Sequence, residues 1–209
     1  GTYYNAPRIR DGMLINEAGY ITDNITNDAL DCLERYAKAD APFYLSVHDT
    51  APHSPWIDNH PREIVDSYEE CTFESCPQER THPDAIELTA EAQENPRENL
   101  KGYFAAVTAM DANIGRILDK LEALDLREST LVIYLGDNGF SCGQHGFWGK
   151  GNGTFPLNMY DESVKVPAIM SQPGRIPQGV VCDELVSAYD FMPTLLEYAG
   201  LAVPIGNLP

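Results

Sequence analysis

Residues 131–174 constrain this chain more than any other stretch: the apolar run LVIYLG leads into DNGFSCGQHGFWGKGNG and closes with YDESVKVPAIMSQPG. LVIYLG is rich in β-branched and aromatic residues and too short for a buried helix, so a central parallel strand is expected. Asp137 and Asn138 then fall at its C-terminal end. That is the edge of an open α/β sheet where ligands bind, and their oxygens suit a hard cation. Asp-Asn-Gly by itself is also a turn signal. The loop beyond it adds to the reading: GQHGFWGKG spaces His145 and Lys150 over a backbone that four glycines leave free to approach a ligand. Phe147 and Trp148 can anchor this loop. A lysine between two glycines after an aromatic pair is expected to be held toward a pocket, where it would pair with an anion. His145 suits packing or ligand contact equally.

Upstream, PFYLSVHDT reads as a second buried strand, with His48 near its end and His53 in the following loop APHSPW. The prolines around His53 restrict the backbone and limit how far its side chain can wander. His48 either contacts substrate or supports the pocket. Helices are expected over 24–39, where Ile25, Ala29, Leu33 and Tyr36 recur at helical spacing, and over 99–126. The second carries the stripe Tyr103, Val107, Met110, Ile114, Ile117, Leu118 and Leu121, a core face rather than a site. After a short strand at VPAIM, a final helix over 190–200 ends at Gly200. Alternating helices and strands place the chain in the α/β class, and no internal repeat or low-complexity linker interrupts it.

The formal charge of −18 argues against nucleic acid or an anionic membrane as partner, because phosphate contacts need clustered Lys and Arg. Much of the acid lies between Arg62 and Glu98, so residues 58–98 are expected to form a loop-rich, solvated acidic insert. An anionic substrate remains compatible if Lys150, the histidines and a cation line the pocket while the acids cover the outside. Of the five cysteines, Cys71 and Cys76 are close enough to pair, although spacing alone does not establish it. Cys142 reads as a packed thiol beside the loop, and no second paired-Cys element accompanies the first to suggest zinc.

GDNG, the GxHGxxGKG pattern, YDESVKVPAIMSQPG, PFYLSVHDTAPHSPW and GYITDNITNDAL together resemble the formylglycine-dependent sulfatases of the alkaline phosphatase superfamily. Order and spacing match across nearly the whole of 1–209. The resemblance implies an α/β/α sandwich with a mixed, mostly parallel sheet. It makes Asp137 and Asn138 ligands of one calcium ion, Lys150 a contact to the sulfate and the leaving-group oxygen, and His53 the proton donor to the leaving alcohol. His48, His145 and Asn152 become substrate-binding candidates. The implied ligand is a sulfated small molecule or glycan. Charge developing on the bridging oxygen of a sulfate ester is what an imidazolium or ammonium would neutralise.

One departure is sharp. The nucleophile of such enzymes arises from a C/S-x-P-S/A-R motif, and none occurs here. Cys76-Pro77-Gln78-Glu79-Arg80 has its proline and small residue in the wrong places. The resemblance therefore implies that the nucleophile, its paired aspartates and a C-terminal subdomain lie outside these 209 residues, which alone should not turn over substrate. Two other readings remain open at this stage: a phosphatase or phosphodiesterase of the same superfamily, and a degenerate relative that only binds.

Overall fold

The computed structural model describes residues 2–39, 41–86 and 90–203. The chain divides into two compact units, residues 1–176 and 177–209.

The first unit begins with a hairpin, β1 (Pro7–Arg10) and β2 (Met13–Asn16), paired antiparallel with Pro7 opposite Asn16. Asp11 and Gly12 both take positive φ at its tip, the backbone twist that a two-residue hairpin turn requires. Helix α1 (Ile21–Tyr36) follows, with Asp23 in its first turn and Arg35 in its last, each complementing the helix dipole. Ile21, Ala29 and Leu33 line its buried face. Two short helices, α2 (Arg62–Asp66) and α3 (Ala90–Glu94), precede the long α4 (Pro96–Ala123). Pro96 opens α4 at a position where a missing N–H costs nothing.

The most buried face of α4 is not its large apolar stripe. Leu100, Gly102, Ala105, Ala106 and Ala109 are buried, whereas of the stripe only Met110 and Leu121 are buried and Tyr103, Val107, Ile114, Ile117 and Leu118 are partly so. Small residues let neighbours close in: a Cβ on Gly102 would overlap the Trp56 backbone. Polar contacts then register α4 against α1. Asn113 donates to Asp23 at 2.9 Å, Arg116 to Asn27 at 2.6 Å, and Lys120 to Glu34 at 2.6 Å. One end of α4 supports an aromatic cluster of Trp56, Phe73, Leu100 and Trp148. Its middle packs on a second cluster around Tyr3, Tyr20 and Ile21.

Strand β3 (Val132–Leu135) forms where LVIYLG predicts one, but it pairs antiparallel with β6 (Ala168–Ser171). Among the described residues every ladder is two-stranded and antiparallel. Leu135 is 41% exposed. An apolar run marks a strand without fixing the direction of its neighbour, and here the neighbour comes from the same loop-return unit. The second expected strand, PFYLSVHDT, is irregular and unpaired, with Tyr44 79% exposed. Its residues have strand propensity, yet no ladder partner lies beside them among the described residues. Cys71 and Cys76 are not bonded; all five cysteines are free.

Between β3 and β6 lie two two-residue strands, β4 (Ser141–Cys142) and β5 (Trp148–Gly149), and the short helix α5 (Asp161–Val164). In the second unit, α6 (Ala188–Tyr198) starts at Ser187, whose N–H donates to the Asp190 carboxylate at 2.7 Å, and stops at Gly200 with φ of 72°. No helix among the described residues is long and apolar enough to cross a membrane.

Candidate active site

β3 delivers Asp137 and Asn138 as an exposed and a half-buried side chain at its C-terminal end. The next residue must be glycine, because a Cβ on Gly139 would overlap the Glu162 carbonyl at the start of α5. The β4–β5 ladder then folds the chain back on itself, Cys142 opposite Trp148, and returns Lys150 to the end of β3. Lys150 Nζ donates to Asn138 Oδ1 at 2.8 Å. Asn158 fixes the backbone beneath: its Nδ2 donates to the carbonyls of Lys150 and Gly151, 3.2 Å each.

Burial explains why this loop holds a shape with so little regular secondary structure. Phe147 is 0% and Trp148 1% exposed. Trp56 packs on Phe140 and on Trp148, with ring centroids 5.6 and 5.5 Å apart. Because Trp56 also donates its indole N–H to the Pro52 carbonyl at 2.8 Å, the loop bearing His53 is clamped to the loop bearing Lys150. Within that clamp His53 is exposed. Its backbone carbonyl accepts from the Tyr3 hydroxyl at 2.6 Å, and its Nδ1 lies 2.8 Å from the Ser54 carbonyl. A carbonyl only accepts, so Nδ1 carries hydrogen and Nε2 is the nitrogen left for proton exchange.

His145 takes φ of 60° between two positive-φ glycines. Its ring stacks on Tyr160 at 3.9 Å and 7°, and its Nε2 meets Glu162 Oε2 at 2.8 Å. Its own backbone N–H and the His145 imidazole hold the Glu162 carboxyl below the usual range. Asn152 is exposed in the turn Gly151–Gly153. His48 stays apart from these contacts: it is exposed, and its Nε2 pairs with Ser46 Oγ at 2.8 Å.

Residues 78–86 of the acidic insert run along the loop while most of their side chains stay exposed. Glu79, His82 and Ile86 donate backbone N–H groups to the carbonyls of Gly143, Gly146 and Gly153, and Phe155 donates to Asp84. His82 Nε2 thereby reaches the Tyr160 hydroxyl at 3.2 Å. His82 and Glu162 were missed from sequence. Neither sits in a glycine-rich or periodic context, and His82 meets its partner 78 residues further on.

A family model described as Sulfatase matches residues 1–201. The chain belongs to the sulfatase family. It is 29% identical to an N-acetylglucosamine-6-O-sulfatase of Bacteroides thetaiotaomicron, over 98% of this chain and 47% of that protein. It is 31% identical to a Ulvan-active sulfatase of Formosa agariphila, over 87% of this chain and 33% of the relative. It therefore spans about half or less of the length of these curated sulfatases. A solved structure of a protein in complex with its substrate D-glucosamine-2-N,6-O-disulfate superposes with a TM-score of 0.79, at 24% identity, over 98% of this chain and 53% of that one. This sulfatase chain thus has an alkaline-phosphatase-like fold, although among the described residues its strands pair only antiparallel.

Proposed function

We propose that the protein hydrolyses sulfate esters carried by a carbohydrate. The observation that carries this is the Lys150 ammonium held on Asn138 at the C-terminal end of β3, in a chain of the sulfatase family. The substrate class is supported by relatives named for sulfated N-acetylglucosamine and ulvan, and by the glucosamine disulfate in the superposed structure.

In this reading Lys150 binds a sulfate oxygen and neutralises charge that grows on the bridging oxygen as the S–O bond breaks. Asn138 orients it. His53, through Nε2, donates a proton to the departing alcohol, and the Tyr3 and Trp56 contacts limit where that nitrogen can go. His145, His48 and Asn152 are the candidates for contacts to the sugar, with Tyr160 and His82 beside His145. The nucleophile in the proposal is a formylglycine borne outside these 209 residues, since no segment here carries its motif.

A calcium ion completes the proposal. The Asp137 carboxylate and the second lone pair of the Asn138 amide oxygen, whose first accepts from Lys150, are hard donors of the kind it takes, but it takes about six to eight oxygens. Among the described residues, no group of three His, Cys, Asp or Glu side chains could hold a metal. Asp137 and Asn138 would therefore supply part of its shell, and the bound ion would stabilise the sulfate oxygens as a Lewis acid.

The test is release of inorganic sulfate by the full-length protein from 6-sulfated glucosamine and from an aryl sulfate, beside matched phosphate esters. Sulfate release at the higher kcat/KM supports the reading. Preference for the phosphate esters would replace it with phosphoryl transfer.

A further inference from the structure

Two segments 64 residues apart are laced together beside the active loop. Gln78 donates through Nε2 to the carbonyls of both Cys76 and Cys142, at 2.8 Å each, and its Oε1 accepts the Trp148 indole N–H at 3.2 Å. Gln144 reciprocates: its Oε1 accepts the Cys142 N–H at 2.6 Å and its Nε2 donates to the Ser75 carbonyl at 2.9 Å. One amide that bonds two carbonyls forces the two backbones to run side by side. Between them the Cys76 and Cys142 side chains, both free and buried, pack in one cluster with Trp56 and Trp148. Cys76 also lines a cavity of about 360 Å³, together with Phe73, Pro77, Gln78, Arg97 and Leu100. A small reagent can therefore approach one sulfur while the other stays covered.

We propose that Cys76 and Cys142 are a reactive dithiol that closes to a disulfide by exchange with a small-molecule disulfide, stapling the acidic segment to the loop that leads to Lys150. Cys76 is the attacking sulfur. The Cys142 thiol donates to it and the Ser75 hydroxyl lies 3.8 Å away, so its pKa is held below the usual thiol range despite burial. The same bond, with burial, pushes Cys142 up. With oxidised glutathione as the reagent, the Cys76 thiolate attacks one sulfur, forms a mixed disulfide and expels one glutathione thiolate. Cys142 then gives up its proton, attacks the Cys76 sulfur and expels the second. In sum, one protein dithiol and one oxidised glutathione give one protein disulfide and two reduced glutathiones, with no other oxidant.

The experiment treats the native full-length protein with oxidised glutathione, alkylates the remaining thiols, and maps an unreduced digest by mass spectrometry. The expected result is a peptide containing Cys76 linked to one containing Cys142, lighter by two hydrogens than the two thiol peptides combined. The oxidised form should melt at a higher temperature than the reduced one. Cys142→Ser should leave glutathione attached to Cys76, and Cys71→Ser should leave the link in place. Equal alkylation of Cys76 and Cys142 before and after oxidation of the wild type would overturn the proposal, as would a Cys71–Cys76 link in its place. The wild-type map decides the matter even if a variant fails to fold.

Discussion

The loop 137–162 and the segment 42–50 make opposite use of their sequences. The first is dominated by glycine and polar residues, yet it places Phe147, Trp148, Ser141 and Cys142 among the most buried side chains of the chain. The second is apolar and strand-like, yet Tyr44 and Val47 are exposed and its backbone joins no ladder. Glycine tolerates contacts that other residues would block, so the loop can be compressed between the acidic insert, α5 and Trp56. Propensity without a partner strand leaves 42–50 outside any ladder, with Tyr44 and Val47 exposed. Order in this molecule follows from what lies across the contact more than from local pattern.

Substitutions can test that contrast. The largest effect on stability is expected for Trp148→Ala, which removes the ring packed on Trp56 and should cost about 3–5 kcal/mol. Tyr44→Ala in the exposed segment should change stability by no more than about 0.5 kcal/mol. Denaturant unfolding of both variants measures the difference, and equal losses would erase the distinction. A pair of glycines sharpens it. Gly139→Ala forces a methyl into the Glu162 carbonyl and should destabilise by about 1–3 kcal/mol. Gly115→Ala, in α4 with nothing within 4 Å of the new methyl, should stabilise by up to about 1 kcal/mol.

Acid titration probes the region that joins the two. Burial raises the Asp49 carboxyl to about 6 and lowers the His60 imidazole to about 4. Asp49 makes folding less favourable as pH rises through about 6, because a buried carboxyl must then ionise. His60 makes folding less favourable as pH falls from the free-imidazole value toward about 4, because the unfolded chain takes up that proton first. Between pH 4 and 6 the two slopes oppose each other. Asp49→Asn should therefore leave a stability that rises with pH across this window, and His60→Gln one that falls with it. Each swing should be about 1–3 kcal/mol after allowance for solvent access. Melting curves at pH 4, 5 and 6 read the sign directly.

Much of the helical frame was legible in sequence. Apolar spacing located α1 and α4 and the stop at Gly200 located α6, and the starts of α1 and α4 moved three residues upstream, α4 to begin at Pro96. β3 and β6 were also legible, but not their antiparallel pairing, since side-chain pattern carries no strand direction. At the site, Asp137, Asn138 and Lys150 could be grouped because a short glycine-rich loop separates them. Glu162 against His145, and His82 against Tyr160, could not. The first depends on a positive φ at His145, the second on a backbone pairing between the insert and the loop.

The most direct test of the account is steady-state sulfate release by full-length wild type and Lys150→Ala on a 6-sulfated glucosamine, with circular dichroism melts run alongside. The account expects the variant to melt as wild type does and to lose about 10²–10⁴-fold in kcat, as removal of a group that stabilises transition-state charge should. Wild-type turnover by a folded Lys150→Ala protein would contradict it.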